Sequence, residues 1–282
     1  MKASKTEARA AAKVLWNGAA NGWDAGFDWY AKSIRPLTEW FCTPVASPGA
    51  RVLDIACGSG LPALAVAERV GASGRVVATD IAPAMVEVTR RRARESALEN
   101  LEVLEMDAAE LRFGERSFDA VTCACGLMFC PEPGRAVSEM RRVLVPRGRV
   151  AIAVWDEASR NPFFTIAARA IGSVLPPPPA DPTAPGPFRF SVPGELERVL
   201  GEGGFVDVAV ERLPMVFELE SADAYWRIFT QFAAGLPERI AGLSDADRGR
   251  AREALRVASE SFMEGGRLRL TATALCALGR AP

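Results

Sequence analysis

The stretch Arg51-Val-Leu-Asp-Ile-Ala-Cys-Gly-Ser-Gly60 decides how this chain reads. An apolar run carries an acid at Asp54, then breaks into a loop of small residues with Gly58 and Gly60. Further on, Val76-Val-Ala-Thr-Asp80 ends a second apolar run on another acid. A strand, a glycine turn, a helix and an acid-tipped strand make a nucleotide-binding crevice.

Outward from that stretch the same alternation continues. Strands are predicted over 51–56, 75–80, 101–106, 118–124 and 149–155, and helices over 61–71, 83–97 and 134–144. Turns at Ala72-Ser-Gly74 and Pro146-Arg-Gly148 separate them. The strand runs are continuously apolar, as parallel strands covered on both faces should be. The fold class is therefore α/β, a Rossmann-like doubly wound sheet. Upstream, residues 5–17 read as a helix ending near Asn17-Gly18, and 23–44 as an aromatic-rich arm broken at Pro36. Ser47-Pro-Gly49 is a turn. Downstream, the prolines between 159 and 193 predict irregular chain, a lid. A helix over 193–203, a strand over 205–212, a helical insertion over 221–263 and a last strand over 267–278 follow, the two strands pairing. The expectation is one domain over 1–282. It divides into an arm at 1–48, a core at 49–156, a proline-rich lid at 157–192 and a C-terminal part at 193–282.

Composition bounds the function. The chain has 282 residues, 49% of them apolar, and a net charge of −1, so no global charge points to nucleic acid or an anionic membrane. No apolar run reaches the ~18 residues of a membrane span. The N-terminus has no apolar signal-peptide core, so a cytoplasmic location is the expectation. The six cysteines are scattered and read as free thiols. Cys123, Cys125 and Cys130 cluster, but structural zinc usually needs four ligands, so no metal is expected. There is no histidine, which removes the commonest general base near neutral pH. Lysine occurs only at positions 2, 5, 13 and 32, so no lysine follows the glycine loop and P-loop phosphoryl transfer is excluded.

Gly58-Ser-Gly-Leu-Pro-Ala63 satisfies G-x-G-x-x-A, so a nicotinamide-dependent oxidoreductase must be weighed. Against it, neither Tyr30 nor Tyr225 begins Y-x-x-x-K, and without histidine both usual proton donors for hydride transfer are missing. Asp54 is the positive discriminator. An acid at the mouth of the loop can accept hydrogen bonds from a ligand ammonium group. A nicotinamide dinucleotide has none there; S-adenosylmethionine has an α-amino group. Asp80 would then accept from both ribose hydroxyls.

Taken together, Val52-Leu-Asp-Ile-Ala-Cys-Gly-Ser-Gly60, Ala78-Thr-Asp-Ile-Ala-Pro-Ala-Met85, Glu105-Met-Asp107, Ser117-Phe-Asp-Ala-Val121 and Met140-Arg-Arg-Val-Leu-Val-Pro-Arg-Gly-Arg149 resemble the successive motifs of class I S-adenosylmethionine-dependent methyltransferases. Gly126-Leu-Met-Phe129 with Pro131, and Trp155 with Asn161-Pro-Phe-Phe164, resemble the ubiquinone/menaquinone-biosynthesis branch. The resemblance implies a seven-stranded sheet, mostly parallel, with an antiparallel last strand. It also implies cofactor contacts. Ala56, Cys57, Gly58 and Gly60 would lie along the methionyl part, with Asp54 at its amino group. Asp80 would bind ribose, Ile81 and Met85 would flank the adenine, and Asp107 with Ala108 would meet its amino group. Ala124 and Cys125 would face the methionyl chain and sulfonium.

Methyl transfer needs alignment and exclusion of water, and a base only for a poorly acidic acceptor. Candidate bases are Asp156 and Glu157 after the fifth strand and Tyr30 on the arm; catalysis without a base is the equal alternative. Trp16, Trp23, Phe27 and Tyr30, the proline-rich segment and the 221–263 insertion are expected to enclose a small apolar or aromatic acceptor. A non-methylating cofactor-binding protein and homo-oligomerisation both stay open. Protein and nucleic-acid acceptors are not expected, since no basic stripe is evident.

Overall fold

The computed structural model describes residues 5–176 and 184–282. The chain opens with three helices, α1 (Lys5–Ala25), α2 (Phe27–Ser33) and α3 (Arg35–Val45). The core follows as β1 (Arg51–Ile55), α4 (Ala63–Val70), β2 (Arg75–Asp80), α5 (Pro83–Glu95), β3 (Leu101–Glu105), β4 (Phe118–Ala124), α6 (Pro133–Val143) and β5 (Leu144–Trp155). The remainder comprises α7 (Pro162–Gly172), α8 (Glu195–Glu202), β6 (Val206–Leu219), α9 (Ala222–Phe232), α10 (Leu236–Ala241), α11 (Asp245–Ser259), the short β7 (Met263–Glu264) and β8 (Arg267–Arg280).

The sheet order is β3-β2-β1-β4-β5-β8-β6, with β7 paired to β8 off that path. The first five strands are mutually parallel, and β8 runs antiparallel to both β5 and β6. The doubly wound sheet with its antiparallel last strand is therefore the observed fold. Every residue of β5 from Val150 to Trp155 is buried, as a central strand covered on both faces requires. The strand order reverses between β1 and β4, so the crevice opens beyond their C-terminal ends.

Four local expectations change. α1 does not stop at Gly18 but runs on to Ala25, because its later turns pack against α5 and α9. The arm after it is broken, with Ile34 between α2 and α3 and Pro36 in the first turn of α3, where a missing N–H costs nothing. The expected irregular lid contains α7, which starts on Pro162 and buries Phe163, Ala167, Ala170 and Ile171. Residues 177–183, the proline-richest part of that lid, lie outside the described residues. The expected turn at 146–148 is a register shift inside β5, with Phe118 opposite Leu144 and Ala120 opposite Arg149. β6 passes through Pro214, tolerated because β6 is the edge strand.

Among the described residues no helix is long and apolar enough to cross a membrane.

Candidate active site

The glycine loop leaves β1 through Ala56, whose φ of 56° is left-handed, and turns at Gly58 with φ 53°. A Cβ at Gly58 would meet nothing within 4 Å, so space stands open in front of the loop. On its other side a Cβ at Gly126 would lie 2.4 Å from that of Ala56. The loops after β1 and β4 thus abut, and only glycine allows the approach. Thr89 Oγ1 donates to the Gly58 carbonyl at 2.7 Å and holds the loop against α5.

Asp80 ends β2 and ties the crevice together. Its Oδ2 accepts from Gly58 N and its Oδ1 from Ala82 N, both at 2.9 Å. It is 7% exposed, and burial raises its carboxyl above the ordinary value. Each oxygen keeps a second lone pair for a ligand hydroxyl.

Asp54 is fully buried in β1. Its register partner on β4 is Thr122, whose hydroxyl donates to Asp54 Oδ1. Asp54 Oδ2 has no partner. Burial, with a smaller contribution from Asp80, pushes this carboxyl up to about 7. A buried carboxylate oxygen without a donor is costly, and a ligand ammonium would satisfy it. This orphaned acceptor, together with the open face at Gly58, fits the aminoacyl end of S-adenosylmethionine.

The Met85 and Asp107 end of the crevice is covered by the arm. Ala19 and Ala20 of α1 form a small core with Ala82 and Met85. Met85, only 1% exposed, is thus sealed under α1, and half-buried Ile81 is left at the rim. Asp107 Oδ1 accepts from Ala109 N at 2.8 Å, while its Oδ2 lies 3.2 Å from Arg9 Nε. Arg9 also bonds Glu132 at 2.7 Å, Lys5 pairs with the same Glu132, and Lys13 pairs with Glu105. Asn17 Oδ1 accepts from Ala84 N at 3.0 Å. Polar ties along α1 therefore latch the arm over this end of the crevice.

At the other end, Ala124 and Cys125 close β4, with Cys125 left-handed at φ 55°. Cys125 N donates to Ala153 O at 2.8 Å, and burial pushes its thiol up to about 12. The Tyr30 phenol lies within electrostatic reach of this thiol. Burial first, and Cys125 second, hold that phenol well above its ordinary value. Around Tyr30 stand Trp23 at 4.8 Å and Phe232 at 5.8 Å, ring centre to ring centre. Trp16 lies 4.9 Å from Phe129. Phe27, expected here, instead lies under the Arg92 guanidinium at 3.7 Å, on the α5 side.

Asp156 and Glu157 each have an arginine partner. Asp156 Oδ1 accepts from Glu157 N at 2.8 Å, and its Oδ2 accepts from Arg212 Nε at 2.7 Å. Glu157 is exposed and accepts from Arg160 Nε at 3.1 Å. Asn161 pins the same turn by donating to the Asp156 and Glu157 carbonyls while accepting from Thr273 N. The Asp156 carboxylate thus ties the end of β5 to β6, while Asn161 ties the start of α7 to β8.

Sequence reading missed Thr122 and Arg9, whereas Phe232 belongs to the 221–263 insertion expected to enclose the acceptor. Thr122 is a polar residue in an apolar strand, and pairing β1 beside β4 would have set it opposite Asp54. Arg9 reaches the site from a distant segment, and no local spacing announces it. Two open surface clefts, of about 470 Å³ by Arg90 and Leu98 and about 270 Å³ by Thr38 and Arg69, lie away from the glycine loop.

The chain resembles known proteins in agreement with this geometry. The family described as Methyltransferase domain matches residues 52–148. Aklanonic acid methyltransferase DauC of Streptomyces sp. (strain C5) is 41% identical over 126 residues, 45% of this chain and 56% of that protein. Demethylmenaquinone methyltransferase of Staphylococcus aureus (strain JH9) is 31% identical over 171 residues, 57% of this chain and 70% of that protein. The alignment thus spans little more than half of DauC and over two thirds of the menaquinone enzyme. Among solved structures, the YcgJ protein of Bacillus subtilis has a TM-score of 0.57 at 21% identity, over 87% of this chain and 98% of that one. The [4+2]-cyclase SpnF has a TM-score of 0.56 at 20% identity, over 94% of this chain and 96% of that one. The family match and the menaquinone relative remove the nicotinamide reading of the glycine loop: the chain belongs to the class I S-adenosylmethionine-dependent methyltransferases.

Proposed function

We propose that this enzyme methylates a small, flat, apolar or aromatic acceptor held under the aromatic arm, and that it does so without a protein base. The observation that carries this reading is the ring group Trp23, Tyr30 and Phe232, with Tyr30 within electrostatic reach of Cys125 just after β4. Rings in edge contact around one polar hydroxyl suit a planar ligand with an oxygen at its edge. The two curated relatives are named for aklanonic acid and demethylmenaquinone, which agrees with an acceptor of this kind.

The cofactor supplies a methyl group already activated by its sulfonium. The chain's own residues do the rest. Asp54 Oδ2 receives the ammonium group, Asp80 the ribose hydroxyls, and the backbone at Ala56, Cys57, Gly58 and Gly60 borders the methionyl chain. Ile81, Asp107 and Ala108 hold the adenine, with Met85 supporting from beneath. Ala124 and Cys125 border the sulfonium end. Tyr30, a phenol protonated at neutral pH and held further so by burial, donates a hydrogen bond that orients the acceptor. Asp156 and Glu157 act as structural braces.

The test is release of S-adenosylhomocysteine from S-adenosylmethionine with a panel of naphthoquinones, polycyclic phenols and aromatic carboxylic acids. Turnover with planar members, and none with strongly charged aliphatic ones, is the expected result. Turnover only with charged aliphatic acceptors overturns the apolar chamber. A changed acceptor without S-adenosylhomocysteine release would instead favour a non-methylating catalyst, a role for which the same fold is used by SpnF.

A further inference from the structure

Gly18, Gly22 and Gly26 recur every fourth residue along α1 and its exit, on one helix face. Glycine inside a helix costs about 1 kcal/mol relative to alanine, so Gly18 and Gly22 within α1 need a reason, as does Gly26 in the turn at its exit. Backbone conformation does not supply it at Gly26, whose φ is −97°. Space does. A Cβ at Gly22 would lie 2.3 Å from the Gln231 carbonyl oxygen, and one at Gly26 would lie 2.2 Å from the Phe232 ring. A Cβ at Gly18 would meet only Glu238 Oε1, the mobile end of a side chain, at 3.2 Å. Gly22 and Gly26 are thus the places where α1 and the end of α9 close to backbone contact. Trp23 Nε1, between them, donates to the Phe232 carbonyl at 3.0 Å and locks the same junction.

That junction fixes a functional wall. The Phe232 ring packs at 4.7 Å from Trp23 and 5.8 Å from Trp29 and Tyr30. Any side chain at position 26 must displace this ring, and the ring cannot move without moving Trp23 and Tyr30. We propose that Gly22 and Gly26 are specificity-determining positions that let α9 seat on α1 and so set the acceptor chamber to the thickness of a flat ring system. This inference rests on the reading of Trp23, Tyr30 and Phe232 as the acceptor wall. Small displacements of such a wall misalign the acceptor and are felt strongly in transfer rate.

The test uses the full chain with 1,4-naphthoquinone as planar probe, titrated calorimetrically in the presence of saturating S-adenosylhomocysteine. Gly22→Ala and Gly26→Ala are expected to weaken probe binding at least tenfold, and Gly18→Ala less than twofold. S-adenosylhomocysteine affinity should stay within twofold in all three, which also reports that the core is folded. Phe232→Leu shortens the clashing ring, so Gly26→Ala made in that background should cost less than twofold further. Wild-type probe affinity in Gly26→Ala overturns the inference. So does an equal loss of S-adenosylhomocysteine affinity, or the same tenfold loss in both backgrounds. No probe binding by the wild type would remove the aromatic-acceptor reading and the inference with it. Normal wild-type binding with insensitive glycines would remove the inference alone.

Discussion

Asp54 concentrates the chemistry of the site in one side chain. It is buried, half satisfied by Thr122, and its carboxyl sits at about 7. Its folded value exceeds that of the unfolded chain, so between about pH 4 and 7 the folded protein holds a proton that the unfolded chain has lost. Its contribution to stability is therefore full at low pH and fades as pH rises through that window. The raised carboxyl of Asp80 acts with the same sign. Asp54→Asn should flatten this dependence, read as Tm against pH in the cofactor-free protein. Ligand binding runs the other way. The ammonium group needs the ionised carboxylate, so S-adenosylhomocysteine affinity should rise with pH up to about 7 and then level off. In Asp54→Asn that affinity should fall by about 1.5–3 kcal/mol, the worth of a hydrogen bond to a charged group. Asp156 offers the contrast. Asp156→Asn should lower Tm through its lost pairing with Arg212 while turnover stays near wild type; a collapse of kcat at unchanged Tm would restore it as a base.

At the scale of elements, α1 touches both ends of the crevice. Its first turns carry Arg9, paired with Asp107 and Glu132, and its last turns carry Trp23 in the aromatic group. These ion pairs are partly exposed, so salt weakens them. S-adenosylhomocysteine should dissociate several-fold faster from Arg9→Ala, and raising salt should speed dissociation more in the wild type than in the variant, by stopped-flow. Equal salt dependence in both would separate the latch from cofactor release. Legibility also divides at this scale. β1, β2 and their acids were readable because a glycine turn between two buried parallel strands leaves a local signature. The continuation of α1 past Gly18 is not, because it depends on its later turns packing against segments more than 200 residues away, as the Trp23–Phe232 bond illustrates. α7 was hidden for a related reason: its prolines are helix starters in context and loop formers in isolation. Position alone makes Asp156 and Glu157 candidate bases; the pairing of Asp156 with Arg212, 56 residues away, is a tertiary contact that no local spacing announces.

For the whole molecule, the parallel half of the sheet builds the cofactor floor, while the arm and the 221–263 insertion build the roof. Tyr30 of the arm and Phe232 of the insertion pack at 5.8 Å, and methyl transfer beneath them is the reading proposed above. A ligand that bridges them should stabilise the protein as a unit, by about 2.7 kcal/mol at a hundred times its dissociation constant. The most direct measurement is calorimetric titration of wild type and Asp80→Ala with S-adenosylmethionine, and of wild type with NAD. The account predicts one S-adenosylmethionine site per chain, an affinity loss of about 1–3 kcal/mol in the variant and no NAD binding. Unchanged affinity in Asp80→Ala, or NAD binding in place of S-adenosylmethionine, would contradict it.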